Sequence, residues 1–137
     1  MLRFWPVFLL AASMLVGCGG SPVDLAPVQG TIAFEDGTVP QGEVMKVYFE
    51  PVADGPQAIK KVASGDIAPD GSFQLMTRMP GDGVIPGKYK VFFTVERTYL
   101  GQESLLPARF TSASQTPFEV VVEAGKNEPF SFTLQKQ

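Results

Sequence analysis

From Lys88 to Val95 the chain alternates, with Tyr89, Val91, Phe93 and Val95 interleaved with Lys88, Lys90, Phe92 and Thr94. A side-chain period of two belongs to a β-strand with one buried face, because successive Cβ atoms point to opposite sides of a sheet. Shorter runs of the same kind recur between Gly, Pro, Asn and Asp residues, and no helical period is sustained from Val28 onward. Val28, Ile32 and Phe34 share one face before the turn Asp36-Gly37. Met45, Val47 and Phe49 share another, which Pro51 ends, and Asp54-Gly55-Pro56 follows as loop. A third strand is expected through Ile59 to Ala63, before Gly65 to Ala68 leads into the turn Asp70-Gly71. Phe73 and Leu75 lie just beyond that turn. Phe118, Val120 and Val122 form a further row, and Phe130, Phe132 and Leu134 form the last, after Gly125-Lys126-Asn127.

The expected fold is therefore all-β, a roughly seven-stranded antiparallel sandwich with an aromatic-rich core between its sheets. The chain is 45% hydrophobic and 18% charged, with 14 Gly and 12 Pro, which suits a folded, turn-rich domain rather than a low-complexity segment. Met79-Pro80-Gly81-Asp82-Gly83 is a loop. Glu96 to Gln115 lacks a dominant period and is expected to be a long connection with a helical turn near Ser104 to Leu106. Connections of that length in a small domain are usually functional or disordered.

Charge and residue inventory exclude several classes of function. The net charge is −3, and Lys60-Lys61 is the densest basic feature, so nucleic acid is not an expected partner. Histidine is absent and there is one cysteine. The usual proton shuttle at neutral pH is missing, no intramolecular disulfide can form, and a Cys/His zinc or iron-sulfur centre cannot be assembled. Asp66, Asp70 and Asp82 lie beside Gly65, Gly71 and Gly83, and clustered loop carboxylates can hold hard cations. Asp before Gly is also ordinary turn chemistry, and the spacing fails the twelve-residue calcium loop, so no metal ligand or cofactor-binding residue is assigned. Ser64, Ser72, Ser104, Ser112 and Ser114 include no Gly-x-Ser-x-Gly nucleophile, and no catalytic residue is assigned either. Tyr48, Phe92, Tyr99 and Phe110 fall at outward or loop positions; they either cover a sheet face or serve as anchors for a sugar or a partner protein.

The start of the chain has its own logic. Arg3 precedes an apolar run from Phe4 to Val16, about 20 Å long as a helix and short of the ~30 Å hydrocarbon core, so a secretory signal is preferred to a membrane span. The run closes on Leu15-Val16-Gly17-Cys18, which resembles the bacterial lipobox. The resemblance implies cleavage before Cys18 and attachment of palmitate-type acyl chains there; an ordinary signal with an incidental cysteine is the rival. Several chains are what stable anchoring requires. The expected organisation is a signal peptide over 1–17, a lipidated flexible tether over 18–27 and a β-sandwich over 28–137.

Gly30-Thr31-Ile32 to Asp36-Gly37, Asp70-Gly71-Ser72-Phe73-Gln74-Leu75 and Pro86-Gly87-Lys88-Tyr89-Lys90-Val91 resemble carboxypeptidase regulatory-like domains, which have a transthyretin-like (prealbumin-like) sandwich. With Thr116-Pro117 and Gly125-Lys126-Asn127, the pattern is similar to small lipoproteins of planctomycetes and covers most of Val28 to Leu134. These motifs concern turns and strand entrances, so they specify fold better than function. Transthyretin-like hydrolases of hydroxyisourate depend on histidines that this chain lacks, and their activity is not carried over. The expected function is a non-catalytic structural or binding module, lipid-anchored to a membrane and facing the periplasm or the cell exterior, with an envelope protein or glycan as partner. The alternative is an accessory subunit of an export, adhesion or nutrient-capture complex. A hydrolase working through carboxylates alone comes third, since no spacing among the 14 acids picks out a pair.

Overall fold

The alternating run forms the longest strand, and the other strands are arranged around it. The computed structural model describes residues 24–57, 59–101 and 103–137; residues 1–17, Cys18 and the tether as far as Val23 lie outside the described residues. The strands in chain order are β1 (Gln29–Phe34), β2 (Val44–Pro51), β3 (Ala63–Asp66), β4 (Ser72–Gln74), β5 (Gly87–Glu96), β6 (Phe118–Val122) and β7 (Phe130–Leu134), with a 3₁₀ turn at Ala108–Phe110. They make one sheet ordered β4-β1-β7 and another ordered β3-β2-β5-β6, an all-β sandwich. Along β5, Tyr89, Val91, Phe93 and Val95 are fully buried, while Lys88 is exposed and Lys90, Phe92 and Thr94 are half-buried.

The rings of both sheets meet at Phe132. It lies against Phe49, Phe73, Phe93, Phe118 and Phe130, with centroid separations from 5.1 to 6.3 Å. Burying each such side chain stabilises the fold by about 1.5–3 kcal/mol before entropy is counted. Tyr89 is fully buried, and its hydroxyl donates to the carbonyl of Ile85, so the polar end of the ring is satisfied inside the core. Just before it, Gly87 leaves room for Gln57. Where β2 has ended, the Gln57 amide accepts from the Lys88 N–H at 3.2 Å and donates to the Lys88 carbonyl at 3.0 Å, as a neighbouring strand would. A Cβ on Gly87 would strike that amide.

Four details depart from the sequence reading. The third strand is Ala63–Asp66 rather than Ile59 to Ala63, and Ile59 and Val62 are exposed. Its sequence, Ala-Ser-Gly-Asp, has no β-branched or aromatic residue; the strand forms because β2 offers an edge, and Gly65 lets the Gln74 backbone pass close by. The pairing of β1 with β7 is parallel, from Gly30 opposite Phe130 to Phe34 opposite Leu134, whereas the other ladders are antiparallel. The chain leaves β6 in one sheet and enters β7 in the other, so β7 arrives beside β1 in the same direction. The helical turn expected near Ser104 to Leu106 occurs at Ala108–Phe110 instead, because Ser104 bridges to Glu96 and the Leu105 N–H donates to the Val95 carbonyl at 2.8 Å. That turn carries Phe110 inward: it is buried and stacks on Phe118 at 5.8 Å, not exposed as a loop aromatic.

Strand directions give the sandwich two ends. The segments 24–28, 52–57, 59–62, 75–86 and 123–129 gather at the end where the chain enters, and 35–43, 67–71, 97–101, 103–117 and 135–137 gather at the opposite end. At the near end, Ala26 and Val84 exchange two backbone hydrogen bonds of 2.8 Å.

Candidate functional site

At the far end the chain does not wander between β5 and β6. Glu96 bridges to Ser104, the Arg97 N–H donates to the Glu103 carbonyl at 3.2 Å, and the Gly101 N–H closes a turn onto the Thr98 carbonyl at 3.3 Å. The result is a hairpin. Gly101, at φ +68°, supplies the left-handed residue that its turn needs. The Arg97 guanidinium forks onto the Glu103 carboxylate, with Nε at 3.0 Å and Nη2 at 3.3 Å, bracing the two arms from outside. From across the end, Glu43 accepts the Tyr99 N–H at 3.2 Å. This frame holds Tyr99 and Leu100 in water, at 79% and 81% exposure. Beside Tyr99 runs an open groove of about 330 Å³ floored by Gln41, Glu43, Lys46 and Asp66.

Of the four aromatics singled out in the sequence, only Tyr99 stands free in this way. Tyr48 and Phe92 lie opposite each other on β2 and β5, on the outer sheet face, and stack with centroids 5.1 Å apart at 16°. Each ring covers the other, and salt bridges from Lys46 to Asp66 (3.5 Å) and from Lys90 to Glu119 (3.1 Å) flank the pair. They cover the sheet. At the near end, a cleft of about 630 Å³ lies between the incoming chain and the β6–β7 connection, lined by Leu25, Pro27, Val28, Gln74, Lys126 and Asn127.

Several carboxylates are occupied by the backbone or by cations. Asp70 accepts the Ser72 hydroxyl at 2.6 Å and the Ser72 N–H at 2.9 Å, which holds its carboxyl below the usual range. Asp36 is held well below that range by Lys136, at 2.6 Å, and by the Thr38 hydroxyl and N–H. For Asp82, desolvation pushes the carboxyl up, but the N–H groups of Thr77, Met79 and Arg78 together outweigh it and the net shift is downward. Lys90 and Lys88 lower Glu119. A general acid for bond hydrolysis needs the opposite, a carboxyl raised toward neutral pH. Asp66 pairs with Lys46 and joins neither Asp70 nor Asp82; among the described residues, no group of three His, Cys, Asp or Glu side chains comes together. Cys18 lies outside the described residues.

No family model, curated protein or solved structure matches the chain. The far-end hairpin is the feature that sequence reasoning missed. Its signal was present as Arg97 and Glu103 enclosing a turn with Gly101, hidden inside a segment without period-two alternation.

Proposed function

We propose that the chain is a non-catalytic cell-envelope lipoprotein, held by acyl chains on Cys18, whose sandwich presents a binding surface at the end away from the lipid. The observation that carries this reading is the hairpin bridged by Glu96 and Ser104, which keeps Tyr99 and Leu100 exposed at the end opposite the one where the chain enters. Ten residues of β5 separate the two ends by about 33 Å, so a partner at the hairpin stays clear of the membrane surface. Tyr99 and Leu100 are held out together on a braced hairpin, and an aromatic with an aliphatic neighbour suits an envelope protein better than a glycan. The same surface serves a free-standing module or an accessory subunit of a larger complex. Asp36, Asp70, Asp82 and Glu119 are held ionised by their own turns and lysines, so none of these four is suited to act as a general acid. The carboxypeptidase regulatory-like resemblance supports a passive scaffold, since its motifs lie at turns and strand entrances.

The test is in-cell photo-crosslinking from Thr98 and Leu100, with Thr133 on β7 as control. Adducts of one defined mass from the first two positions, together with acyl mass on an amino-terminal Cys18, are expected. A water-soluble product beginning at another residue overturns the anchor. Equal adducts at Thr133 overturn the binding surface.

A further inference from the structure

The near end carries its own exposed apolar group, and its loop is built to hold it out. In loop 77–83 the Asp82 carboxylate accepts the N–H groups of Thr77 (2.7 Å), Arg78 (3.0 Å) and Met79 (3.0 Å), the Thr77 hydroxyl donates to the Gly83 carbonyl (2.7 Å), and the Asp82 N–H returns to the Met79 carbonyl (3.1 Å). The loop turns its only acid toward its own backbone. Its cation and its thioether face water: Arg78 is exposed and Met79 is 68% exposed. Val62, Ile59 and Met76 add further exposed apolar surface toward the same end. One residue past the loop, Val84 is bonded to Ala26.

We infer that loop 77–83 is a membrane foot, in which Met79 enters the boundary between headgroups and acyl chains while Arg78 meets lipid phosphate. The inference rests on the proposed lipidation of Cys18 and deepens it. The length of chain before the domain selects the occupant: six peptide steps separate Cys18 from Asp24, so the acyl chains can lie at most about 20 Å from where the chain enters the sandwich. Any face at this end is therefore kept at high local concentration against the lipid, and a contact too weak to bind alone is populated once the anchor holds. An apolar tip with a neighbouring Arg is the chemistry of such interfaces. The foot fixes the tilt of the sandwich and directs the far-end hairpin away from the membrane.

The only tryptophan of the chain, Trp5, lies in the segment removed with the signal, so single-tryptophan reporters can be read without background. The full chain would be expressed as Met79→Trp or Tyr99→Trp, purified with its acyl groups, and reconstituted into phosphatidylethanolamine and phosphatidylglycerol vesicles with brominated acyl chains. Both substitutions are at exposed positions and leave the core intact. Quenching several-fold stronger for Met79→Trp, and reduced when Arg78→Glu is added, is expected. Equal weak quenching at both positions, in chains that carry acyl mass and float with the vesicles, overturns the foot while leaving the anchor standing. A chain without acyl mass that stays out of the vesicle band overturns both.

Discussion

Along one side of the sandwich the sheets are laced together by backbone, whereas along the other side β6 and β7 face each other without sharing a strand hydrogen bond. On the laced side, Ser64 and Met76 exchange N–H···O bonds of 3.0 and 2.8 Å, and Ile67 bridges to Phe73, so β3 passes into β4 almost as one bent hairpin. Gly65 makes that possible, because a Cβ there would strike the Gln74 carbonyl. On the open side the gap is filled by side chains, with Phe118 against Phe132 at 5.1 Å, Phe110 stacked on Phe118 at 5.8 Å, and Phe130 stacked on Phe132 at 6.2 Å. One side depends on turn chemistry and the other on volume. The two sides should therefore fail differently when damaged.

The largest effect is expected where volume does the closing. Phe132 touches five other rings, and truncating a buried aromatic typically costs about 3–5 kcal/mol. That is a large part of the ~5–15 kcal/mol available to a domain. Phe132→Ala should lower the thermal midpoint by more than about 10 °C. Lys90→Ala, which loses a partly exposed ion pair with Glu119, should shift it by only a degree or two, because such pairs contribute about 0–1 kcal/mol. Similar midpoints for the two variants, measured by circular dichroism, would show that the open side does not rely on this ring.

This contrast also explains what could be read from the sequence. The rows Tyr89 to Val95, Phe118 to Val122 and Phe130 to Leu134 were legible because each alternates, and alternation reports one buried face directly. The strand Ala63–Asp66 was not, because its residues carry almost no β preference and its place is set by the edge of β2. Parallel pairing of β1 with β7 was illegible for a related reason: period two says which face is buried and nothing about which strand lies alongside. The hairpin that exposes Tyr99 and Leu100 escaped because its residues face water on both sides, so burial writes no pattern into them. Of the three Asp residues expected at turns, Asp70 and Asp82 bind loop backbone, whereas Asp66 ends β3 and pairs with Lys46, since Asp beside Gly reports local backbone chemistry and not the edge that a strand joins.

A smaller effect should separate the two connections that carry the chain along these sides. Gly71 and Gly125 have nearly the same left-handed backbone, at φ +88° and +84°. A side chain there costs about 1–2 kcal/mol in any surroundings. Their surroundings differ. A Cβ on Gly71 would press on the Ile32 carbonyl, which accepts no slack because Ile32 donates to the Gly71 carbonyl at 2.9 Å, and on the Val39 side chain; a Cβ on Gly125 would meet nothing within 4 Å. Gly125→Ala should therefore destabilise by about 1 kcal/mol in urea unfolding, and Gly71→Ala by more than about 2 kcal/mol. Equal losses would mean that backbone strain alone sets both, and that the tight contact on the laced side adds nothing.

The smallest difference is one of pH. On the laced side the turn is held by a carboxylate, Asp70, whose oxygen accepts both groups of Ser72; on the open side the equivalent work is done by an amide, with Asn127 Oδ1 accepting the Glu123 N–H at 2.9 Å and Nδ2 donating to the Glu123 carbonyl at 2.9 Å. The Ser72 hydroxyl first, and then its N–H, lowers the Asp70 carboxyl below its ordinary value. The unfolded chain then takes up the proton at higher pH than the folded one, so the contribution of this turn is complete above the ordinary Asp range, about pH 4, and is lost as pH falls through it toward the folded value. Asn127 has no proton to gain. Asp36, Asp82 and Glu119 are lowered in the same sense, so the wild-type midpoint should already fall between about pH 5 and pH 3. Asp70→Asn, which keeps an acceptor at the turn, should make that fall shallower, whereas Asn127→Ala should lower the midpoint by the same amount at every pH. If the Asp70→Asn curve runs parallel to wild type, the laced side owes nothing to the charge on Asp70, and the acid sensitivity of the fold comes from other carboxylates, Asp36, Asp82 and Glu119 among them.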